Sequence, residues 1–96
     1  MLNQKIIFLR EEGDRWYFRN KKNIINRNYK KDLYTSEIEK TLAKYNNIKK
    51  VLEVGCSDGS RIKYLKKRYK KNQFYGIDPS QKAINSKNYK DIKLFK

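Results

Sequence analysis

Apolar residues in the second half of the chain mark three strands. In "KKVLEVG" the residues Val51, Leu52 and Val54 are nearly continuous, as expected for a buried strand of a parallel sheet. The stretches "QFYGID" and "DIKLF" follow further along, each bounded by polar or turn-forming residues. They predict two more strands.

Helical periodicity precedes and separates these strands. In "TSEIEKTLAKYNN" the residues Ile38, Leu42 and Tyr45 share one face. Ser36 with Glu39 fits a capping box that would begin this helix. Two further helices are predicted between the strands, in "SRIKYLKKRYKK" and "SQKAINSKN".

The segment before residue 35 has no clear period. It holds a brief apolar run at residues 6–9 and an aromatic cluster at residues 16–18, so we predict an irregular or helical segment over residues 1–34. Over residues 35–96, the order strand, helix, strand, helix, strand predicts right-handed βαβ units. The expected fold class is therefore α/β, with N-terminal helices followed by β-α-β-α-β and a parallel three-stranded sheet.

The chain is strongly basic, with 25 Lys+Arg against 10 Asp+Glu and a net charge of +15. Such an excess is typical of proteins that bind nucleic acid or an acidic partner. Drift in an A/T-rich genome is a second interpretation, because Lys, Asn, Ile and Tyr, with A/T-rich codons, make up 47 of the 96 residues. Arg, the better residue for bidentate phosphate contacts, occurs only 6 times. We therefore favour drift over a nucleic-acid surface.

The cysteine and histidine content excludes several kinds of site. Cys56 is the single cysteine and histidine is absent, so neither an internal disulfide nor a Cys/His zinc site can form. Catalytic Cys–His and Ser–His–Asp systems are excluded for the same reason. No apolar run has the length of a membrane span, and the first ten residues are too polar for a signal peptide. We expect a cytoplasmic protein without metal or membrane contact.

The stretch "VLEVGCSDGSRIKYL" joins the first strand to the next helix through a loop with two glycines. Such a turn directs backbone N–H groups and the positive end of the helix dipole toward one point. Gly55 would allow the sharp turn, and Gly59 would let the backbone approach a ligand closely. Asp78 ends the second strand 19 residues beyond Gly59, where a carboxylate can bind ribose hydroxyls. Loop and acid together predict a site for a nucleoside-containing ligand.

Two classes of nucleoside ligand fit this description. A dinucleotide fingerprint needs G-x-G-x-x-G, but Ser57 stands at the second glycine position and Ser60 at the third. Glu53 on the strand would repel a pyrophosphate, whereas a carboxylate suits the methionine ammonium of S-adenosylmethionine. The acid therefore favours the methyl donor.

At these residues the chain resembles the class I S-adenosylmethionine-dependent methyltransferases. "EVGCSDG", from Glu53 to Gly59, is similar to their first motif, an acid followed by x-G-x-G-x-G, with Ser57 for the middle glycine. "FYGIDPS" is similar to their second motif, with Asp78 as the ribose-binding carboxylate. The resemblance covers residues 49–95. It implies a partial Rossmann-like fold and S-adenosylmethionine as the cofactor.

The N-terminal segment carries a second similarity. "EEGDRWYFRNK" resembles the Gly-Asp-x-x-Tyr-x-x-Arg-Asn stretch of methyltransferases of sugar and surface-polysaccharide biosynthesis, through Gly13, Asp14, Tyr17, Arg19 and Asn20. Arg19 is one position nearer to the tyrosine than in that pattern. This resemblance implies that Tyr17 or Arg19 packs over the cofactor and that a sugar is the methyl acceptor.

The predicted cofactor-binding residues are Glu53, Gly55, Cys56, Ser57, Gly59, Asp78, Tyr17 and Arg19. Simpler alternatives stay open: the two glycines could form an ordinary strand–helix turn, and Asp78 could cap the next helix with Ser80. Cys56 is expected to contribute its backbone rather than its thiol. The lysines of residues 63–71 are expected to form a solvated helix face.

The methyltransferase resemblance also implies what this chain does not hold. A complete class I enzyme has a seven-stranded sheet, and the half after the third strand supplies most of the substrate site and any general base. We therefore expect an N-terminal fragment that carries the cofactor motifs, has no assignable catalytic residue and is inactive alone. Without a fourth strand "VLEV" would be an open sheet edge, which invites pairing with another chain.

Two other functions remain as alternatives. The net charge of +15 and the lysine-rich helix fit a non-enzymatic basic module that binds nucleic acid or an acidic partner. The open edge of the predicted sheet fits an assembly subunit, completed by self-association or by a second chain.

Overall fold

A computed structural model describes residues 12–87 and 89–96. Its elements are α1 (Gly13–Ile25), α2 (Leu33–Lys44), β1 (Lys50–Val54), α3 (Ser60–Arg68), β2 (Gln73–Ile77), α4 (Gln81–Ser86) and β3 (Lys93–Phe95). The α/β class with a parallel three-stranded sheet is confirmed. None of the described helices is long and apolar enough to cross a membrane. The apolar run at residues 6–9 lies outside the described residues.

The strands lie in the order β1-β2-β3, and both neighbouring pairs are parallel. The register places Val51 opposite Phe74 and Glu53 opposite Gly76. Both crossovers advance in the same direction across the sheet, so right-handed connections place α3 and α4 on one face. The carboxyl ends of β1 and β2 therefore meet beside the loop that joins β1 to α3.

One face of the sheet carries the core. Phe74 is 2% exposed and contacts Ile62 and Leu65 of α3, which are 1% and 0% exposed. Ile62 and Leu65 are three residues apart, so both lie on the helix stripe that faces the sheet. Ile92 completes the cluster just before β3, and Val51 packs at its margin. This packing fixes α3 relative to β1 and so holds the intervening loop.

The opposite face of the sheet is largely exposed. Alternate residues of a strand point to opposite sides, and Leu52 and Val54 point away from the core with 60% and 79% of their surface exposed. The register places Ile77 and Phe95, which are 40% and 53% exposed, on the same side as Val54. These four apolar residues, Leu52, Val54, Ile77 and Phe95, form a surface called here the open face.

β1 is an edge strand of the described sheet, as the sequence predicted. The N–H of Gln73 donates to the carbonyl of Lys49, and the N–H of Gly55 donates to the carbonyl of Ile77, both at 2.8 Å. A parallel ladder uses alternate residues of a strand. The backbone groups that point away from β2 are therefore those of Lys50, Leu52 and Val54.

α2 begins at Leu33, so the capping box predicted at Ser36 and Glu39 is wrong. Asp32 is the N-cap, and its Oδ2 accepts hydrogen bonds from the Thr35 N–H at 2.9 Å and the Thr35 hydroxyl at 2.7 Å. The hydroxyl of Thr35 also lowers the pKa of Asp32. The helix gains its extra turn because Asp32 satisfies two donors of a residue that is fully buried.

Replacing Asp32 with alanine should lower the free energy of unfolding by about 1–2 kcal/mol, because the first turn loses its cap. Ser36→Ala is the matched control, since Ser36 lies inside the helix, and it should change stability by less than about 0.5 kcal/mol. Urea denaturation followed by circular dichroism measures both. Equal losses in the two variants would contradict the assignment of the cap to Asp32.

The N-terminal segment contains α1, which packs against α4. Tyr17 and Ile24 lie seven residues apart on one helical face, and they form a buried cluster with Ala83 of α4. Trp16 and Phe18 stay about half exposed. Only the central residue of the aromatic cluster therefore belongs to the core.

Candidate functional site

The loop between β1 and α3 turns through three residues with left-handed backbone. Gly55, Ser57 and Gly59 have φ angles of +78°, +54° and +82°. The N–H of Gly59 closes the turn by donating to the carbonyl of Cys56 at 3.0 Å. A left-handed conformation costs an L-residue about 1–2 kcal/mol relative to glycine. Ser57 carries this cost, which a glycine, the residue that the methyltransferase motif has at this position, would avoid.

Glycines near the loop meet different surroundings. A Cβ added at Gly55 would have no atom within 4 Å, so the surface at this residue is open. At Gly59 it would lie 2.9 Å from Leu94 Cδ1, and at Gly76 it would lie 2.6 Å from Cys56 Sγ. Gly59 therefore permits packing against the segment around β3, and the close ligand approach predicted for it stays a prediction. Gly55 is the position that leaves space for a ligand.

Asp78 connects the loop to the start of α4. Its Oδ2 accepts the Ser57 N–H at 2.8 Å, and its Oδ1 accepts the Ser80 N–H at 2.9 Å. Ser80 is the N-cap of α4, because its hydroxyl oxygen accepts the Ala83 N–H, and it also donates to Asp14 of α1 at 2.6 Å. Asp78 is thus not the cap itself but supports the capping residue. Each carboxylate oxygen of Asp78 retains a second lone pair.

Most of the backbone N–H groups of the loop have acceptors within the protein. Those of Gly55 and Cys56 both donate to the carbonyl of Ile77, at 2.8 Å and 3.1 Å. The other loop donors with internal acceptors are Ser57, Gly59 and Ser60. A pyrophosphate site needs several such groups directed at the ligand. The loop therefore offers side chains and open surface rather than a phosphate cradle.

Glu53 is mostly buried and binds Arg61. The guanidinium Nη1 of Arg61 donates to Glu53 Oε2 at 2.6 Å, and the Glu53 side chain is 13% exposed. The same guanidinium contacts Thr35 Oγ1 at 3.1 Å and Asp32 Oδ2 at 3.4 Å. Burial raises the pKa of Glu53, and the hydrogen bond from Arg61 opposes this rise. An ammonium group that reached Glu53 would share the carboxylate with Arg61.

Cys56 is 5% exposed and packs over Gly76. Burial raises the pKa of its thiol to about 12, with the charges of Asp78 and Glu53 acting in the same direction. The thiol is therefore protonated at neutral pH, where a thiolate nucleophile would be needed for covalent chemistry. In this structure the Cys56 side chain fills the space beside Gly76.

Two buried polar atoms of the loop have no hydrogen-bond partner, Ser57 Oγ and Asp58 Oδ2. The other oxygen of Asp58 accepts the N–H and the hydroxyl of Ser60, at 3.0 Å and 2.5 Å. A buried polar group without a partner costs about 1–3 kcal/mol. The Ser57 oxygen has no exposed surface, so a ligand could supply the missing hydrogen bond only after this side chain rotates.

The described contacts of Tyr17 and Arg19 are with residues outside the loop. The ring of Tyr17 is 3% exposed and is enclosed with Ile24 and Ala83 between α1 and α4. Arg19 is 56% exposed and forms an ion pair with Glu12. The structure therefore brings together the predicted residues of β1, the loop and Asp78, but it does not bring these two to them. The contact between α1 and the site is instead the hydrogen bond that Ser80 donates to Asp14.

The lysines that follow the loop are partly engaged within the protein. Lys63 binds both oxygens of Asp91, at 2.9 Å and 2.8 Å. Lys66 donates to the carbonyls of Lys70 and Asn72 and so closes the end of α3, which stops at Arg68 rather than continuing to residue 71. The predicted solvated lysine face is thus reduced, and these ammonium groups have acceptors other than phosphate.

Four residues outside the predicted set of cofactor-binding residues complete the site. Arg61 neutralises Glu53, Ser80 and Asp14 hold Asp78 in place, and Gly76 admits Cys56. Gly76 carried a readable signal, since a glycine inside a strand often marks the close approach of another residue. The other three depend on contacts between elements distant in sequence.

Comparison of the chain with protein-family models, with curated proteins and with solved structures finds no match.

Proposed function

We propose that this chain binds S-adenosylmethionine at the carboxyl ends of β1 and β2, as the cofactor-binding part of a class I methyltransferase with a Rossmann-like fold. The observation that carries the proposal is the direct link between Asp78 and the left-handed loop, through the 2.8 Å hydrogen bond from the Ser57 N–H. This link places the acid and the glycine-rich turn, which form the two motifs of the resemblance, at one site.

The residues at this site fit the adenosyl part of the ligand. The open surface at Gly55 gives room, and the second lone pairs of Asp78 are suited to ribose hydroxyls. The buried hydroxyl of Ser57 has a hydrogen-bonding capacity that no described residue uses. A nucleoside bound here would meet one charged acceptor, and it could pair with the Ser57 hydroxyl only after that side chain rotates.

The electrostatics favour S-adenosylmethionine over a dinucleotide. Most of the loop N–H groups that would bind a pyrophosphate are used internally, and the carboxylate of Glu53 at the end of β1 would repel one. An ammonium group is attracted by the same carboxylate, in competition with Arg61. We infer modest affinity, because Arg61 must share Glu53 for the methionine end to bind.

The cofactor would supply an activated methyl group, and this chain would hold and orient it. Asp78 would bind the ribose, Gly55 and Ser57 would border the nucleoside, and Glu53 would receive the ammonium. We assign no general base and no catalytic residue. A sugar as methyl acceptor follows only from the similarity of residues 11–21 to sugar-modifying methyltransferases, and is proposed on that basis.

Calorimetry with S-adenosylhomocysteine tests cofactor binding. We expect saturable binding by the wild-type chain and a loss of at least about tenfold in affinity for Asp78→Asn, because hydrogen bonds to a charged acceptor contribute about 1.5–3 kcal/mol each. Asp91→Asn is the matched control: it makes the same chemical change in an acid bound to Lys63, outside the site, and should bind like wild type.

Circular dichroism must show that all three proteins are folded. Absence of heat at millimolar ligand from folded wild-type protein would refute the proposed function. Equal affinity of Asp78→Asn and wild type would show that the ligand does not use this carboxylate.

A further inference from the structure

The free edge of β1 is flanked by an apolar groove. The groove has a volume of about 360 Å³ and is lined by Glu37, Ile38, Thr41, Leu42, Ile48, Lys50 and Val51. It runs between α2 and the first half of β1, on the side of the sheet that the helices cover. The open face, with Leu52 and Val54, lies on the other side of the same strand.

The backbone at this edge is ready to pair with another strand. The groups of Lys50, Leu52 and Val54 point away from β2, and no described strand lies on that side. A strand added there would direct alternate side chains to opposite sides. One set would enter the groove beside Ile38 and Leu42, and the other would lie beside Leu52 and Val54. Backbone pairing with side-chain pockets on alternate positions is the geometry of strand addition.

The positive charge near this edge favours an acidic partner over a second copy of the chain. Neither Lys49 nor Lys50, at the start of β1, meets a carboxylate among the described residues, and both are exposed. Glu37 in the groove pairs with Lys40, and Glu53 pairs with Arg61. A second copy of this chain would bring another net charge of +15 to the interface. An acidic partner would instead be attracted by the positive charge of this chain.

We infer that the edge of β1 is a docking site for an extended, acidic segment of another protein, with apolar residues at its centre and carboxylates at its ends. The segment adds a fourth strand beside β1, fills the groove under α2 and covers part of the open face. Its carboxylates meet Lys49 and Lys50. This inference is independent of the proposed cofactor site, which lies at the carboxyl ends of the strands.

The probe for this site is the peptide acetyl-Glu-Glu-Val-Ile-Val-Thr-Val-Glu-Glu-amide. We expect saturable binding to the full chain, at least about tenfold tighter than that of the same peptide with every Glu replaced by Lys. Amide hydrogen exchange by NMR should slow at least about tenfold at Leu52 and Val54 in the saturated complex. The amides of Val51 and Glu53, which point toward β2, should not change.

Two controls separate strand addition from adhesion to the apolar surface. One control is the same peptide N-methylated at the alternate positions whose N–H groups would face β1. It keeps its side chains but cannot donate these hydrogen bonds to β1, and it should bind at least about tenfold more weakly. Phe95→Ala removes an open-face residue from the opposite edge of the sheet and should leave binding unchanged. Both controls leave β1 itself unaltered, so neither depends on a variant of the docking strand that could fail to fold.

Four results would overturn the inference. They are absence of binding by the acidic peptide at about 1 mM, equal binding of the N-methylated peptide, equal or tighter binding of the Lys peptide, and a loss of binding in Phe95→Ala. Protection of Leu52 and Val54 that increases with protein concentration in the absence of peptide would assign the edge to a second copy of the chain instead. Sedimentation equilibrium would then show a dimer.

Discussion

Replacing Gly59 with alanine should lower the free energy of unfolding by about 2–4 kcal/mol. Two costs combine at this position. The left-handed backbone, with φ of +82°, penalises any Cβ by about 1–2 kcal/mol. The Cβ would also approach Leu94 Cδ1 to 2.9 Å and Ile92 Cδ1 to 3.2 Å, an overpacking that typically costs about 1–3 kcal/mol.

Two other glycines separate these costs. Gly55→Ala carries the backbone strain alone, because its Cβ would meet nothing within 4 Å, and should cost about 1 kcal/mol. Gly76→Ala carries the steric cost alone, because its backbone is an ordinary strand and its Cβ would lie 2.6 Å from Cys56 Sγ. Urea denaturation of the three variants measures the series. A loss for Gly59→Ala no greater than that for Gly55→Ala would contradict the packing of the loop against Leu94.

Replacing Arg61 with methionine should destabilise the protein by about 3–5 kcal/mol at pH 7, because it leaves the buried carboxylate of Glu53 without its cation. The negative charges of Asp32 and Asp78 remain nearby and disfavour ionised Glu53. The pKa of Glu53, already raised by burial, should rise further. Methionine keeps much of the length and apolar surface of the arginine side chain, so the effect reports mainly the lost charge.

The stability of Arg61→Met should rise as pH falls from 7 toward 5. A carboxyl group whose pKa is higher in the folded than in the unfolded state binds protons more readily when folded, so stability rises as pH falls. The penalty of Glu53 should be larger at pH 7 than at pH 5 and should vanish as pH falls to the unfolded value of 4.5. Below about 3.8 the lowered pKa values of Asp14, Asp32 and Asp91 act oppositely, because protonation of these acids removes stability.

The double variant Glu53→Gln/Arg61→Met is the matched control. It removes the unpaired carboxylate, and so it should recover much of the stability lost at pH 7 and show little change between pH 7 and pH 5. Urea titrations at both pH values provide the comparison. A pH-independent loss in Arg61→Met would mean that the ion pair with Glu53 is not the source of its effect.

The strands and their order could be predicted because each leaves a local signal. Val51, Leu52 and Val54 form a nearly continuous apolar run, and the glycines of the following loop end it at the point where the chain turns. The start of α2 could not be predicted in the same way. Ser36 and Asp32 are both good capping residues, and the choice between them depends on the burial of Thr35 and on Arg61, which arrives 29 residues later in the sequence.

The candidate site was predictable in its backbone and less so in its electrostatics. Gly55 and Asp78 have characteristic positions at the ends of parallel strands, and the 2.8 Å bond between Ser57 and Asp78 joins their two segments. The pairing of Glu53 with Arg61 needs the orientation of α3 over the sheet, which is set by Ile62 and Leu65 in the core. The orientation of α3 over the sheet cannot be predicted from a sequence pattern.

The hydrogen bond between Asp14 and Ser80 has a consequence for the timing of synthesis. Its two residues are 66 positions apart, and the buried contacts of Tyr17 and Ile24 with Ala83 span a similar distance. At a translation rate of about 5–20 residues per second, α1 leaves the ribosome roughly 3–13 s before α4 does. During that delay the apolar stripe of α1 has no partner on α4. The first helix of the described residues is therefore among the last to dock, because its buried contacts wait for a helix near the other end of the described residues.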